Sequence, residues 1–175
     1  MATNPFELYV VIGPVAAAFA GFGSLASGIG QRRGGDHARV DAMRLGSMLS
    51  ASLLATMLAF LPATLAGLLL DEPLAVRMSA VIAVVSIVVL MPISIGRARR
   101  IRDLPGFSIG GAVANTACTL LALAAFAFCL FAVPPNRIEA LYLLGLLGLL
   151  GSSVVMFSRV IASMLRPHNE SPDTD

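Results

Sequence analysis

Charge is what this sequence has least of. Only 13% of its 175 residues are Asp, Glu, Lys or Arg, against 57% hydrophobic, where soluble domains run near a quarter charged. The scarcity is organised: residues 8–31, 45–70, 78–96, 104–136 and 140–158 contain none of the four. A chain this short cannot cover five such helices with polar layers, which excludes a water-soluble core. A membrane-crossing helix needs about 20 predominantly apolar residues. The sequence therefore predicts an all-α, polytopic membrane helix bundle with five transmembrane helices, over about residues 8–30, 44–70, 76–96, 107–132 and 138–160. These form one domain over 1–166, followed by a polar tail, 167–175, expected to be disordered.

Other absences narrow the chemistry. No ionisable residue stands in the middle of a run, and such residues mark proton relays, ion sites and intramembrane catalysts. This argues against a proton-coupled transporter and an intramembrane aspartyl or metalloprotease. The two histidines and two cysteines make no cluster of metal-ligand spacing, and neither a phosphate-binding glycine loop nor a nucleophile beside a base is present. Hence no catalytic residue, no metal and no cofactor is expected. Cys118 and Cys129 are about 16 Å apart on one helix, beyond disulfide reach, and read as packing residues. The leading "MATNPFELY" lacks the cation of a signal peptide, so the first span is expected to stay in the chain.

Lysine is missing too: all 12 basic residues are arginines. None precedes the first span. Arg32, Arg33, Arg39 and Arg44 follow it, Arg77 follows the second, and Arg97, Arg99, Arg100 and Arg102 follow the third; then come Arg137 alone and the final pair Arg159 and Arg166. Basic residues near span ends stay on the cytoplasmic side, so the alternation predicts an N-terminus outside and a C-terminus in the cytoplasm. The two groups of four read as anchors on anionic lipid headgroups, each cation contributing on the order of 1 kcal/mol. These loops are too short and too bound to the membrane for nucleic acid. Arginine-only basicity with abundant Ala, Gly, Leu and Val suggests a GC-rich bacterial genome and hence the inner membrane.

Between Gly30 and Arg44, His37 and Asp41 share a helical face; Asp36 stands beside them, and Asp103, in the other arginine-rich connection expected on the same side of the membrane, is placed to converge with them. Two ligands on one face are a weak metal signal. Asp36 has a plainer expected role as a helix N-cap.

What the sequence has in abundance is small residues in register. In span two Ser47, Ala51, Ala55, Ala59, Ala63 and Gly67 recur at every fourth position, a stripe that winds by about 40° per step. Span one has Ala17, Gly21, Ser24 and Gly28; span four Gly110, Ala114, Cys118 and Ala122; span five Gly145, Gly148 and Ser152. Small side chains let helices approach closely, which matters where lipid supplies no hydrophobic drive for association. Span two is the expected central helix, with a kink near Leu58 from Pro62. Span three, rich in Val and Ile, is expected to face lipid most. A weak parallel repeat joins the last four spans: Pro73 to Arg97 and Pro135 to Arg159 are both 24 residues apart.

Two functions fit. The first is an inner-membrane protein without catalytic residues, an accessory, scaffold or regulatory subunit. Its small-residue faces bind a membrane-protein partner or a second copy of the chain. The second is a small channel or facilitator for a neutral or weakly polar solute, with a polar path at Asn115, Thr116 and Thr119.

Overall fold

The computed structural model describes residues 11–22, 36–69, 71–100, 102, 107–131 and 134–164. Five helices and no strands occur among them: α1 (Val11–Phe22), α2 (Asp36–Leu69), α3 (Glu72–Arg100), α4 (Ile109–Phe128) and α5 (Pro135–Met164). The last four are each long and apolar enough to cross a membrane. Outward side chains such as Met57, Leu68, Val113 and Phe131 are apolar and more than 60% exposed. Such a surface suits lipid and is poorly matched to water.

Helices α2, α3 and α5 begin before their expected spans, and α3 and α5 also run past them, because charge marks the edge of the apolar band, not the end of a helix; α4 is shorter than its expected 107–132. Arginine and glutamate are good helix formers, so α3 continues through Arg97, Arg99 and Arg100. Likewise α2 begins at Asp36, which is its first helical residue rather than a residue outside it. Pro135 opens α5, a position where its missing N–H costs nothing and its fixed φ is already helical.

Helices α2 to α5 form a ring. Neighbours α2 and α3, α3 and α4, α4 and α5, and α5 and α2 touch; α3 also reaches α5 across the middle, whereas α2 and α4 make no contact. The hub is α5, half of whose span is buried, against 28% for α2 and 22% for both α3 and α4. This corrects two expectations: the central helix is α5, and α3 shares the lipid-facing role with α4. The reason lies in the glycines of α5. A Cβ on Gly148 would stand 3.0 Å from the backbone of Cys118 and Ala122, and one on Gly145 would strike the Phe126 ring at 2.6 Å. The small-residue sets of spans four and five are thus used on each other.

Below that seam the core gathers Leu58, Phe126, Ile138, Tyr142 and Leu146. Phe126 and Tyr142 meet edge to face, centroids 5.1 Å apart, the arrangement aromatic quadrupoles favour. The Tyr142 hydroxyl donates to the Leu58 carbonyl at 2.7 Å. That carbonyl would ordinarily accept from the N–H four residues on, but residue 62 is proline and has none. A side chain of α5 therefore closes the gap that Pro62 opens in α2. One turn pair nearer the other end, buried Ser52 donates to Ser153 at 3.1 Å and joins the same two helices. The first helix closes against this pair: Ile12 and Ala16 enter the core, and Phe19 meets Phe157 at 6.0 Å.

The stripe on α2 has no single partner. Winding by about 40° per step, it swings through about 200° over its length. Ser47 and Ala51 accordingly line a cavity, Ala55 and Ala59 are buried in the core at 0% and 1% exposure, and Ala63 and Gly67 are exposed. Ala17 and Gly21 are exposed as well, and Ser24 and Gly28 lie outside the described residues. Ala59→Leu is therefore expected to destabilise the single chain, by about 1–3 kcal/mol for an overpacked core. Thermal unfolding in detergent measures it, and an unchanged midpoint would show that Ala59 is not in packed contact.

Candidate functional site

Because α2 and α4 do not meet, the ring leaves a cavity of about 190 Å³ between them, closed at the sides by α3 and α5. All three residues of the expected polar path, Asn115, Thr116 and Thr119, line it. So do three arginines from three helices: Arg44 of α2, Arg97 of α3 and Arg159 of α5. No carboxylate does among the described residues.

The arginines are set in place by different means. Arg44 lies 3.1 Å from Asp41, one turn earlier on α2, and Asp41 in turn accepts from the Ser163 hydroxyl of α5 at 3.1 Å. Asp41 thus ties two helices together; Asp103 and the side chains of Asp36 and His37 lie outside the described residues. Arg159 lies across the start of α4. Its Nη1 donates to Ser108 Oγ at 2.6 Å, and a Cβ on Gly111 would stand 3.1 Å from its Nε. Glycine at 111 is what allows the guanidinium to lie flat on the helix. Ser108 is the N-cap of α4, in extended conformation, and its Oγ also accepts from the Gly111 N–H at 3.4 Å. Arg97 is exposed at the rim.

Deeper in, Ser152 Oγ donates to Asn115 Oδ1 across the α4–α5 seam. This is the interhelical bond an amide in hydrocarbon is expected to find. It occupies the carbonyl end of Asn115 and leaves the Nδ2 group with no partner among the described residues. Thr116 and Thr119 donate to backbone carbonyls one turn back, Ala112 and Asn115, at 2.8 and 3.0 Å, leaving their oxygens as acceptors. The floor is apolar, made by Leu54, Ile87 and Leu149. From rim to floor the lining therefore runs from cationic, through amide and hydroxyl, to hydrocarbon.

Outside the ring, a groove of about 480 Å³ runs over α3 and α4, with Arg99 and Arg102 at one end. Four of the eight expected lipid-anchoring arginines thus border a concavity: Arg44 and Arg97 the cavity, Arg99 and Arg102 the groove. Arg32 and Arg33, and the side chains of Arg39 and Arg100, lie outside the described residues. Nothing in the sequence marked Ser108, Gly111 or Met156 as lining residues. Ser152 stood in the small-residue register of span five and meets Asn115 of α4, whereas Gly111 meets Arg159. The two cysteines are free; Cys129 is buried, its Sγ 3.3 Å from the Ala125 carbonyl.

No protein-family model, curated protein or solved structure matches the chain.

Proposed function

We propose that this is a small multi-pass protein of the bacterial inner membrane, with five spans, N-terminus outside and C-terminus cytoplasmic, that holds a small ligand inside its helical ring and acts as a facilitator for it. The observation that carries this reading is the graded cavity: helices packed only for support would close it, and here Asn115 lines a space bordered by four helices with its amide N–H groups unpartnered among the described residues. At about 190 Å³ it is smaller than the roughly 300–1,000 Å³ of ordinary ligand pockets. It fits a slender ligand or one part of a larger one. Anionic lipids of the cytoplasmic leaflet are the natural surroundings of its arginine rim, given the orientation proposed from the arginine distribution.

The test is transfer in liposomes of phosphatidylethanolamine and phosphatidylglycerol, with glycerol, urea and a fluorescent phospholipid as probes. Transfer of at least one probe above that of empty liposomes, cut about tenfold by Asn115→Leu, is the expected result; a tenfold loss corresponds to about 1.4 kcal/mol, within the range of one buried hydrogen bond to a ligand. Silence across the panel would count against it.

A second reading is favoured by the exposed small residues. Ala63 and Gly67 are exposed, and around Gly67 an added Cβ would meet no described atom within 4 Å, leaving room for a further helix to approach. Through them the chain would serve as an accessory or scaffold subunit, bound to a membrane-protein partner or a second copy. A species of fixed stoichiometry in native mass spectra from mild detergent would support it, and a bare monomer would oppose it.

A further inference from the structure

Resting on the ligand-holding reading, we propose that the ligand is a phosphate-headed anionic amphiphile, its head held by Arg44, Arg97 and Arg159 and its apolar part entering from the bilayer between α3 and α4.

Three features specify the head. First, three arginines line a cavity that has no carboxylate among its described lining residues. Arg44 is already engaged by Asp41, which leaves the charge of Arg97 and Arg159 uncompensated among the described residues. Two positive charges match the roughly −1.5 to −2 of a phosphate monoester near neutral pH better than the single charge of a carboxylate. Second, Ser108 Oγ accepts two hydrogen bonds, from Arg159 and from Gly111 N–H. Both its lone pairs are taken, so its own O–H is left to donate. Third, the arginines line one cavity from three different helices, an arrangement that suits a tetrahedral group with several acceptor oxygens better than a planar carboxylate.

The rest of the lining specifies what the head is attached to. Below the arginines, the Asn115 amide offers a donor at the depth where a glycerophospholipid carries ester carbonyls. Below that, Leu54, Ile87 and Leu149 offer only hydrocarbon. Entry follows from the wall. The cavity and the outer groove share Ile95, Ala98, Phe107, Ala112 and Thr116, so among the described residues these side chains stand between the two, and three of the five are small. The groove continues the same pattern, apolar along its length with Arg99 and Arg102 at one end.

The experiment is native mass spectrometry of the full-length protein in mild detergent, titrated with dioleoyl phosphatidic acid, with dioleoylglycerol, which lacks the phosphate, and with inorganic phosphate as competitor. One equivalent of phosphatidic acid is expected to bind, at least tenfold more tightly than dioleoylglycerol and without displacement by inorganic phosphate. Arg159→Gln should weaken it at least tenfold. Because Arg159 also braces the start of α4, Arg97→Gln is the second variant: its exposed side chain makes no bond to any described residue, and it too should weaken binding severalfold. Arg137→Gln, about 33 Å away along α5, should leave binding unchanged. Equal losses in Arg137→Gln and Arg97→Gln would overturn the proposal in favour of surface charge alone, and displacement by inorganic phosphate would overturn it in favour of a free oxyanion. Dioleoylglycerol bound one to one, indifferent to Arg97→Gln and Arg159→Gln but lost in Asn115→Leu, would overturn the phosphate head and leave the ligand-holding reading standing. Binding of every probe unaffected by Asn115→Leu would sink both.

Discussion

Gly148→Leu is expected to abolish the monodisperse folded protein in detergent. The seam between α4 and α5 is set by backbone-to-backbone approach: a single added carbon at residue 148 already stands 3.0 Å from Ala122 N, Ala122 Cβ and Cys118 O. Two of these are main-chain atoms of a regular helix and cannot turn aside. Even Gly148→Ala should lower stability by about 1–3 kcal/mol, the usual range for an overpacked interior. Leucine adds three more carbons on the same line and forces the helices apart. That separation would also break the Ser152–Asn115 bond one turn away and open the wall of the cavity. Gly67→Leu is the matched control, since a Cβ there meets nothing within 4 Å. Size-exclusion profiles and unfolding midpoints of the three variants decide the matter; a Gly148→Leu protein as stable as Gly67→Leu would mean that α4 and α5 do not pack closely at this point.

The second large effect belongs to Tyr142. Removing its hydroxyl strips the Leu58 carbonyl of the donor at 2.7 Å and leaves it buried without the N–H that Pro62 cannot supply. An orphaned buried acceptor costs about 1–3 kcal/mol, and lipid offers no water to repair it. Tyr142→Phe is therefore expected to lower stability by that amount, although Phe keeps the ring contact with Phe126. The decisive variant is the double one. Pro62→Ala returns an N–H that can reach the Leu58 carbonyl in the ordinary helical pattern, so Tyr142→Phe made in that background should cost much less. A coupling near 1 kcal/mol or more in the double-mutant cycle is the expected result. Additive effects would mean that the hydroxyl does not serve the proline gap.

These two sites show which parts of the molecule the sequence made legible. Long uncharged runs are a direct readout of apolar helices, since lipid tolerates little else, and the glycine and alanine registers of spans four and five were visible and do meet. Yet register alone does not rank helices. The longest stripe, on α2, suggested a hub, but a repeat of four winds around its axis and is divided among the cavity, the core and the outer surface; the hub is α5, whose two close-approach glycines are fewer but face one neighbour. The Tyr142 bond joins residues 84 apart in the chain, and nothing local marks the tyrosine as the partner of a distant proline.

The candidate site was legible in fragments. Asn115 announced itself as an amide among hydrocarbon, and its neighbours Thr116 and Thr119 follow it to the same cavity. The equal spacing from Pro73 to Arg97 and from Pro135 to Arg159 placed two arginines at corresponding points of two hairpins, and both line that cavity. What could not be read was that α2 and α4 stand apart. A void is a property of four helices together, and no single helix carries its signature.

The most direct test is photo-crosslinking from inside the cavity in native membranes. A photoreactive benzoylphenylalanine replaces Met156, which lines the cavity, and in a control replaces Leu147, which is exposed on the same helix. After irradiation the adducts are identified by mass. Position 156 is expected to capture one dominant amphiphile of defined mass, enriched far above its share of the membrane, while position 147 captures bulk lipid in proportion to its abundance. Identical adduct profiles at the two positions, or no adduct at 156, would contradict a ligand held within the ring.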